Sequence, residues 1–93
     1  MSTEALGAAD QVRGAMARDV LEYLAKSIVD DPDGVAIEIE EGHRGGVRLS
    51  LRVGPEDMGK VIGRRGRVAQ AIRAIVRAAG AREGVEVAVD IID

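Results

Sequence analysis

Residues 59–67 read Gly-Lys-Val-Ile-Gly-Arg-Arg-Gly-Arg and are the most informative segment of this sequence. It joins an apolar helical turn to a basic loop bounded by Gly63 and Gly66. Because glycine has no Cβ, the main chain there can approach a ligand closely, and the arginines between the two glycines add charge directed at phosphate oxygens. The pattern is typical of a loop that grips phosphates with its backbone. Two glycines three residues apart mean little in a chain with 12 glycines, so the flanking sequence carries the interpretation.

The charges of this chain are unevenly distributed. The net charge is −3 and the isoelectric point is about 5.1, which argues against a polyanionic partner. Residues 60–82, however, hold seven basic residues and no acidic one, while the rest of the chain holds six basic and 16 acidic residues. Most arginine-rich runs only keep a helix solvated. Here the run contains the glycine loop, which favours a nucleic-acid partner.

Length and composition indicate one small domain. Ninety-three residues with 46% apolar side chains can bury a modest core, and the absence of cysteine excludes a disulfide. We find neither a secretory segment nor an apolar run of spanning length, so we expect no membrane segment and a cytoplasmic location. Residues 1–11 are small and polar without a sustained apolar period, and we expect a disordered tail there, followed by a domain over residues 12–93.

Apolar periodicity predicts the first half of this domain. Helical spacing runs from Val12 to Val29, and the turn at 30–34 contains Pro32 and ends it. Alternating apolar residues then predict strands over 35–40 and 47–53, joined by the glycine-rich segment 41–46. We expect an antiparallel hairpin in which the glutamates of the first strand, Glu38 and Glu40, face the arginines of the second.

The second half should contain two helices and a strand. Pro55 suits the first turn of a short helix that ends near Gly63, and a longer helix should run from Gly66 or Arg67 to Ala79, with Gly80 as its stop. Alternation predicts a last strand over 85–92. The order α-β-β-α-α-β predicts an α+β fold with a three-stranded mixed sheet and three helices on one face. The inward positions of the longer helix are predicted to be Val68, Ile72, Ile75, Val76 and Ala79.

This order, with Gly-x-x-Gly between the middle helices, resembles the type II KH fold. More closely, segments 20–26, 30–33, 53–67 and 89–93 resemble the KhpA family of small bacterial single-KH proteins, and the likeness covers about residues 18–93. The resemblance implies an RNA-binding protein that acts as an RNA chaperone or post-transcriptional regulator. It also implies action with KhpB, a larger multidomain KH protein, in control of the cell envelope and cell shape. A longer N-terminal extension departs from the family.

The resemblance assigns single-stranded RNA to the glycine loop. Its backbone and the following helix would contact phosphates, and Ile62 would form part of an apolar floor for the bases. With Tyr23 as the one aromatic residue of the sequence, stacking contributes little, so we expect a homodimer or a heterodimer with a KhpB-like partner. The predicted RNA-binding residues are Lys60, Ile62, Gly63, Arg64, Arg65, Gly66 and Arg67.

Other functions are weaker interpretations. Segment 54–61 has the Gly-x4-Gly-Lys spacing of a nucleotide-binding loop, but Val61 stands where a hydroxyl would bind magnesium. The lone His43 lies in a turn without a nucleophile nearby, and the carboxylates follow solvated positions. We therefore predict no enzyme, no catalytic or metal site, no cofactor and no small-molecule substrate. The alternative function is a protein-interaction module that dimerises or scaffolds, with weak or incidental RNA binding.

Overall fold

The computed structural model describes residues 13–92, so the predicted tail, Val12 and Asp93 lie outside the described residues. Its helices are α1 (Ala15–Ile28), α2 (Met58–Ile62) and α3 (Arg67–Arg82), and its strands are β1 (Ala36–Glu41), β2 (Val47–Arg52) and β3 (Val87–Ile91). Four short 3₁₀ turns join them, at Pro32–Gly34, His43–Gly45, Pro55–Asp57 and Arg64–Gly66. The predicted element order is confirmed.

Helix α1 covers the sheet with one apolar stripe. Ala17, Leu21 and Ala25 are buried at four-residue spacing, as expected for one face of a helix. The helix begins at Ala15 because Gly14 before it is left-handed, and no side chain of the cap residue bonds to the first turn. The end of α3 supplies the missing acceptor instead, since Glu83 Oε2 accepts the Met16 N–H at 3.0 Å.

The sheet has the order β1-β2-β3, with β1 antiparallel to β2 and β2 parallel to β3. In the hairpin, Glu40 pairs with Arg48, whose Nε lies 3.6 Å from the Glu40 carboxylate. The prediction for Glu38 is wrong, because the register places it opposite Ser50. The three-stranded mixed sheet itself is confirmed. The register of the hairpin decides which charged side chains are neighbours on the outer face of the sheet.

The core lies between the sheet and the helices. Leu49 and Leu51 of β2 are fully buried, as are Leu21 of α1 and Val76 of α3. Alternate residues of each strand point into this core, and the intervening charged ones face away from the helices. Among residues 13–92, no helix combines the length and the apolar character needed to cross a bilayer.

Helix α3 departs from its prediction at two positions. It continues through Gly80 to Arg82. Gly80 is buried against β3, so closely that a Cβ there would lie 2.4 Å from Val87 Cγ2. Glycine is therefore used for close contact with β3 rather than as a stop. Ile75, predicted to point inward, is 49% exposed. The short helix predicted from Pro55 is also divided, into a 3₁₀ turn and α2.

Candidate nucleic-acid interface

The glycine loop joins α2 to α3 in a conformation that favours glycine at both ends of the loop. Gly63 ends α2 with φ 75 and ψ 172, and Gly66 precedes α3 with φ 72 and ψ 14. These positive φ values suit glycine and strain other residues. At Gly63 space is lacking as well, since a Cβ would lie 2.3 Å from Val68 Cγ2. The sequence pattern Gly-x-x-Gly thus corresponds to a defined backbone shape.

Between the glycines, the backbone forms a cationic concavity. Arg64 has helical dihedrals and Arg65 is left-handed, with φ 59 and ψ 26. Successive residues of this kind turn their N–H groups toward one point and make an anion-binding nest. The main-chain hydrogen bonds of residues 13–92 use neither the Arg64 N–H nor the Arg65 N–H. These donors lie just before the start of α3, where the helix dipole also favours an anion.

The predicted side chains surround this concavity. Arg64, Arg65 and Arg67 are exposed, and Arg67 is the first residue of α3. Ile62, the last residue of α2, is 38% exposed, while its neighbour Val61 is fully buried and holds α2 against the core. The structure therefore brings an apolar side chain, three guanidinium groups and two free N–H donors to one edge of the domain.

Lys60 is engaged with acidic residues on the other side of α2. Its Nζ lies 3.1 Å from Asp30 Oδ2 and 3.9 Å from Asp57 Oδ1. The hydrogen bond to Asp30, together with the negative charge of that residue, raises the pKa of Lys60 above its ordinary value of 10.5. The Lys60 side chain is 44% exposed and belongs to this ion pair. Its role in RNA binding stays a prediction.

Asp57 anchors α2 to the end of α1. This residue is 3% exposed, and its two carboxylate oxygens accept the N–H groups of Asp30 and Asp31 at 3.1 Å each. We call Asp57, Lys60, Asp30 and Asp31 the Asp57 cluster. Helix α2 has five residues, too few to be stable alone. The cluster therefore positions the glycine loop that follows α2.

A groove lies along the outer edge of β3. It has a volume of about 870 Å³ and is lined by Arg73 and Arg77 of α3, by β3 and by the hairpin loop. Arg73 Nε donates a hydrogen bond to the Val89 carbonyl oxygen, 3.1 Å away, so this side chain lies across the strand edge. The charge run over residues 60–82 includes both arginines, but periodicity alone does not show that they share a groove.

A scan against family models matches residues 18–91 to the KH domain of KhpA and KhpB. The chain belongs to this KhpA/KhpB family of KH domains. A protein from Caldanaerobacter subterraneus named RNA-binding protein KhpA is 47% identical over 74 residues, which cover 80% of this chain and 97% of that protein. A Streptomyces coelicolor protein of the same name is 50% identical over 78 residues, covering 84% and 94%. These family members are named for RNA binding rather than for an enzymatic activity.

Solved structures give the same fold at low sequence identity. A point variant of Aquifex aeolicus Era, solved with GDP and aluminium fluoride, matches with a TM-score of 0.57 and 18% identity over 87% of this chain and 32% of Era. Era bound to MgGDPNP and nucleotides 1506–1542 of 16S ribosomal RNA matches with a TM-score of 0.57, 17% identity, and coverage of 81% and 28%. At this identity the likeness shows the fold alone, and it extends over about a third of Era.

Proposed function

We propose that the protein binds single-stranded RNA through the Gly63–Gly66 loop. The observation that carries this proposal is the pair of unpaired backbone N–H groups at Arg64 and Arg65, set between exposed arginines at the start of α3. A phosphate is the ligand that suits such a nest. The relatives named RNA-binding protein KhpA support RNA as the source of that phosphate.

The loop would hold the RNA backbone without reading its sequence. The N–H groups of the nest and the dipole of α3 offer partial positive charge, and Arg64, Arg65 and Arg67 add attraction that weakens with salt. Gly63 and Gly66 let the phosphates approach. Bases would then turn toward Ile62 and the groove between α3 and β3, where backbone and side-chain groups can discriminate their edges.

Affinity from one such domain should be modest. Tyr23, the sole aromatic residue in the sequence, is 72% exposed on α1 and is not part of the glycine loop. Stacking on an aromatic ring, worth roughly 1–3 kcal/mol per base where it occurs, therefore contributes little. A KH loop clamps about four nucleotides. We infer that a second KH module, from another copy of this chain or from a KhpB-like multidomain partner, raises the affinity through avidity.

Reversal of the loop charges tests the proposal. Arg64→Asp with Arg65→Asp should abolish the gel shift of single-stranded RNA while circular dichroism shows an intact fold, because both side chains are exposed. The matched control, Arg52→Glu with Arg82→Glu, changes the net charge equally at exposed positions on β2 and at the end of α3. Wild-type affinity in the folded loop variant would refute the assignment.

The salt dependence gives an independent measure. If two to four phosphates are neutralised, the slope of log K against log salt should be about −1.4 to −2.8 for single-stranded RNA. A slope near zero would contradict the electrostatic mechanism. The wild-type protein and the control variant should share the expected slope, since neither Arg52 nor Arg82 belongs to the loop.

In the cell, we propose that the protein is a cytoplasmic RNA chaperone or post-transcriptional regulator. With a KhpB-like partner it would contribute to control of the cell envelope and cell shape. The family model that matches residues 18–91 describes KH domains of both KhpA and KhpB, so such a partner would carry a related domain. Deletion should alter cell shape, and a loop-reversed copy should fail to restore it. Restoration by that copy would separate the cellular role from RNA binding.

A protein-interaction role is a second candidate function, favoured by exposed apolar side chains. Met16 and Tyr23 on α1 are 47% and 72% exposed, and Ile75 on α3 is 49% exposed. Such side chains suit a contact with another chain. Sedimentation analysis at tens of micromolar, with and without RNA, should detect a dimer. A strict monomer that binds RNA tightly would contradict the need for a second module.

A further inference from the structure

The ammonium group of Lys60 lies against two carboxylates of the Asp57 cluster. Its Nζ is 3.1 Å from Asp30 Oδ2 and 3.9 Å from Asp57 Oδ1. The Asp57 carboxylate is buried and also accepts two main-chain N–H groups, whereas the Asp30 side chain is 81% exposed. The contact between Lys60 and Asp30 is therefore a surface ion pair, which water can open at little cost.

Lys60 is also close to the glycine loop along the chain. It stands in the last turn of α2, three residues before Gly63, which corresponds to about 4.5 Å along the helix axis. Lysine carries its charge on a flexible four-carbon stem with three rotatable donors. Once released from Asp30, the ammonium group has the length and the freedom to reach a phosphate on the Gly63–Gly66 loop.

The two partners of Lys60 exclude each other. Asp30 and Asp57, which contact the ammonium group, line a hollow of about 240 Å³ together with Asp31 and Glu56. A phosphate that approached Lys60 in its present position would meet these carboxylates, and like charges repel each other. The ammonium group must therefore leave Asp30 before it can pair with RNA.

We propose that Asp30 competes with RNA for Lys60 and so lowers the affinity of the Gly63–Gly66 loop for a nucleic-acid backbone. This inference rests on the proposed RNA-binding function. Binding exchanges the Asp30 carboxylate for a phosphate as the partner of the ammonium group. Because an exposed ion pair is weak, this exchange changes the RNA affinity by roughly twofold to fivefold. Asp30 then sets the affinity of the site without touching the RNA.

A double-mutant cycle tests the competition. Asp30→Asn removes the competing charge at nearly constant shape, and Lys60→Met removes the contested charge but keeps an unbranched side chain. Asp33→Asn is the matched control, because Asp33 is exposed in the adjacent turn and its carboxylate is not a partner of Lys60. Fluorescence anisotropy would give the affinity for a single-stranded RNA of about eight nucleotides, twice the reach of one KH loop. Thermal melts would verify that each variant folds.

Asp30→Asn should bind the RNA roughly twofold to fivefold more tightly than wild type, and Asp33→Asn should gain less. In the Lys60→Met background, Asp30→Asn should gain no more than Asp33→Asn. Equal gains of the two variants in the wild-type background would reflect net charge and overturn the competition. A larger gain of Asp30→Asn in the Lys60→Met background would also overturn it, since Lys60 would then only neutralise the carboxylates. Failure of the Arg64 and Arg65 charge reversal would instead refute the proposed function.

NMR of the lysine side chains gives a direct readout. The sequence has two lysines, and Lys26, whose Nζ lies 2.8 Å from Glu22 Oε2 on α1, is the internal reference. Before RNA is added, the Nζ signal of Lys60 should differ between wild type and Asp30→Asn. With saturating RNA the two Lys60 signals should coincide, while Lys26 stays unchanged. Lys60 signals that still differ with RNA bound would show that Asp30 keeps the ammonium group, which would contradict the exchange.

Discussion

The hairpin loop Gly42–Gly45 and the Gly63–Gly66 loop share the pattern Gly-x-Arg-Gly and a left-handed arginine, with φ 56 at Arg44 and 59 at Arg65, but they differ in their surroundings. Gly42 opens the hairpin loop with φ −105 and ψ −163, an extended backbone, whereas Gly63 opens the other with φ 75 and ψ 172. The hairpin loop leads into β2, and the Gly63–Gly66 loop leads into α3. The nest of the Gly63–Gly66 loop therefore lies at the N-terminus of a 16-residue helix, whose dipole and unpaired N–H donors also favour an anion.

The anchoring of the two loops differs as well. The Gly63–Gly66 loop follows a short helix whose position depends on the Asp57 cluster. The hairpin loop is closed by its own strands, with Arg13 Nη1 donating to the Gly45 carbonyl oxygen. The comparison shows that the four-residue pattern sets the local conformation, while the flanking elements decide how strongly the loop attracts an anion and how firmly it is held.

The largest expected effect on stability separates Gly63 from Gly42, the first glycines of the two loops. Gly63→Ala should lower the free energy of unfolding by about 3 kcal/mol, because strain and overpacking each cost of order 1–3 kcal/mol. Gly42→Ala should cost less, about 1 kcal/mol, because its φ is ordinary and only the crowding of its Cβ against the Val47 backbone, 3.1 Å away at the carbonyl carbon, opposes it. Urea unfolding measures both. Equal losses would break the distinction between the loops.

The Asp57 cluster supports the Gly63–Gly66 loop and lies apart from the hairpin loop in sequence. Asp57→Asn should lower the unfolding free energy by about 2 kcal/mol, because an amide cannot accept both N–H groups that the carboxylate satisfies. Glu56→Gln, an exposed change next to it, should stay within about 0.5 kcal/mol. Amide exchange should also speed up across α2 in Asp57→Asn and remain unchanged in the hairpin. Unchanged exchange in α2 would contradict the anchoring role.

The last glycines of the two loops should respond alike. Gly66→Ala and Gly45→Ala should each cost about 1 kcal/mol, because φ is 72 and 79 at these positions. Gly59→Ala in α2 should instead raise the unfolding free energy by about 0.5–1 kcal/mol, since its Cβ would meet nothing within 4 Å. Thermal melts would show the opposite signs. Stabilisation by Gly66→Ala would show that backbone strain does not control the loop.

The smallest effect concerns the ion pair of Lys60. Because its folded pKa is raised, its contribution to stability is fully present below the ordinary pKa of 10.5 and is lost as the pH rises through the folded value. The difference in unfolding free energy between wild type and Lys60→Met should therefore be constant from about pH 6 to 9 and shrink in more alkaline solution. A difference that grows with pH there would give the wrong sign.

Much of the fold was predictable because it follows local periodicity. Alternation in β2 and β3 and helical spacing in α1 give the element order, and an α-α crossover leaves one simple topology, which the structure confirms. The glycine loop was also found from sequence, because its pattern is contiguous. Ile75 was misplaced because helical spacing defines a stripe but not how far the neighbouring helix covers it.

The order of elements, the glycines of both loops and the concentration of basic residues over 60–82 can be read along the chain, since these features depend on sequence neighbours. Which charged side chains are paired depends on the packing of the helices against the sheet. In the folded protein Lys60 forms an ion pair with Asp30, and Arg73 donates a hydrogen bond to the Val89 carbonyl oxygen. Gly80, inside α3, packs against Val87. Such contacts depend on how helices and sheet pack in three dimensions, which no local period encodes.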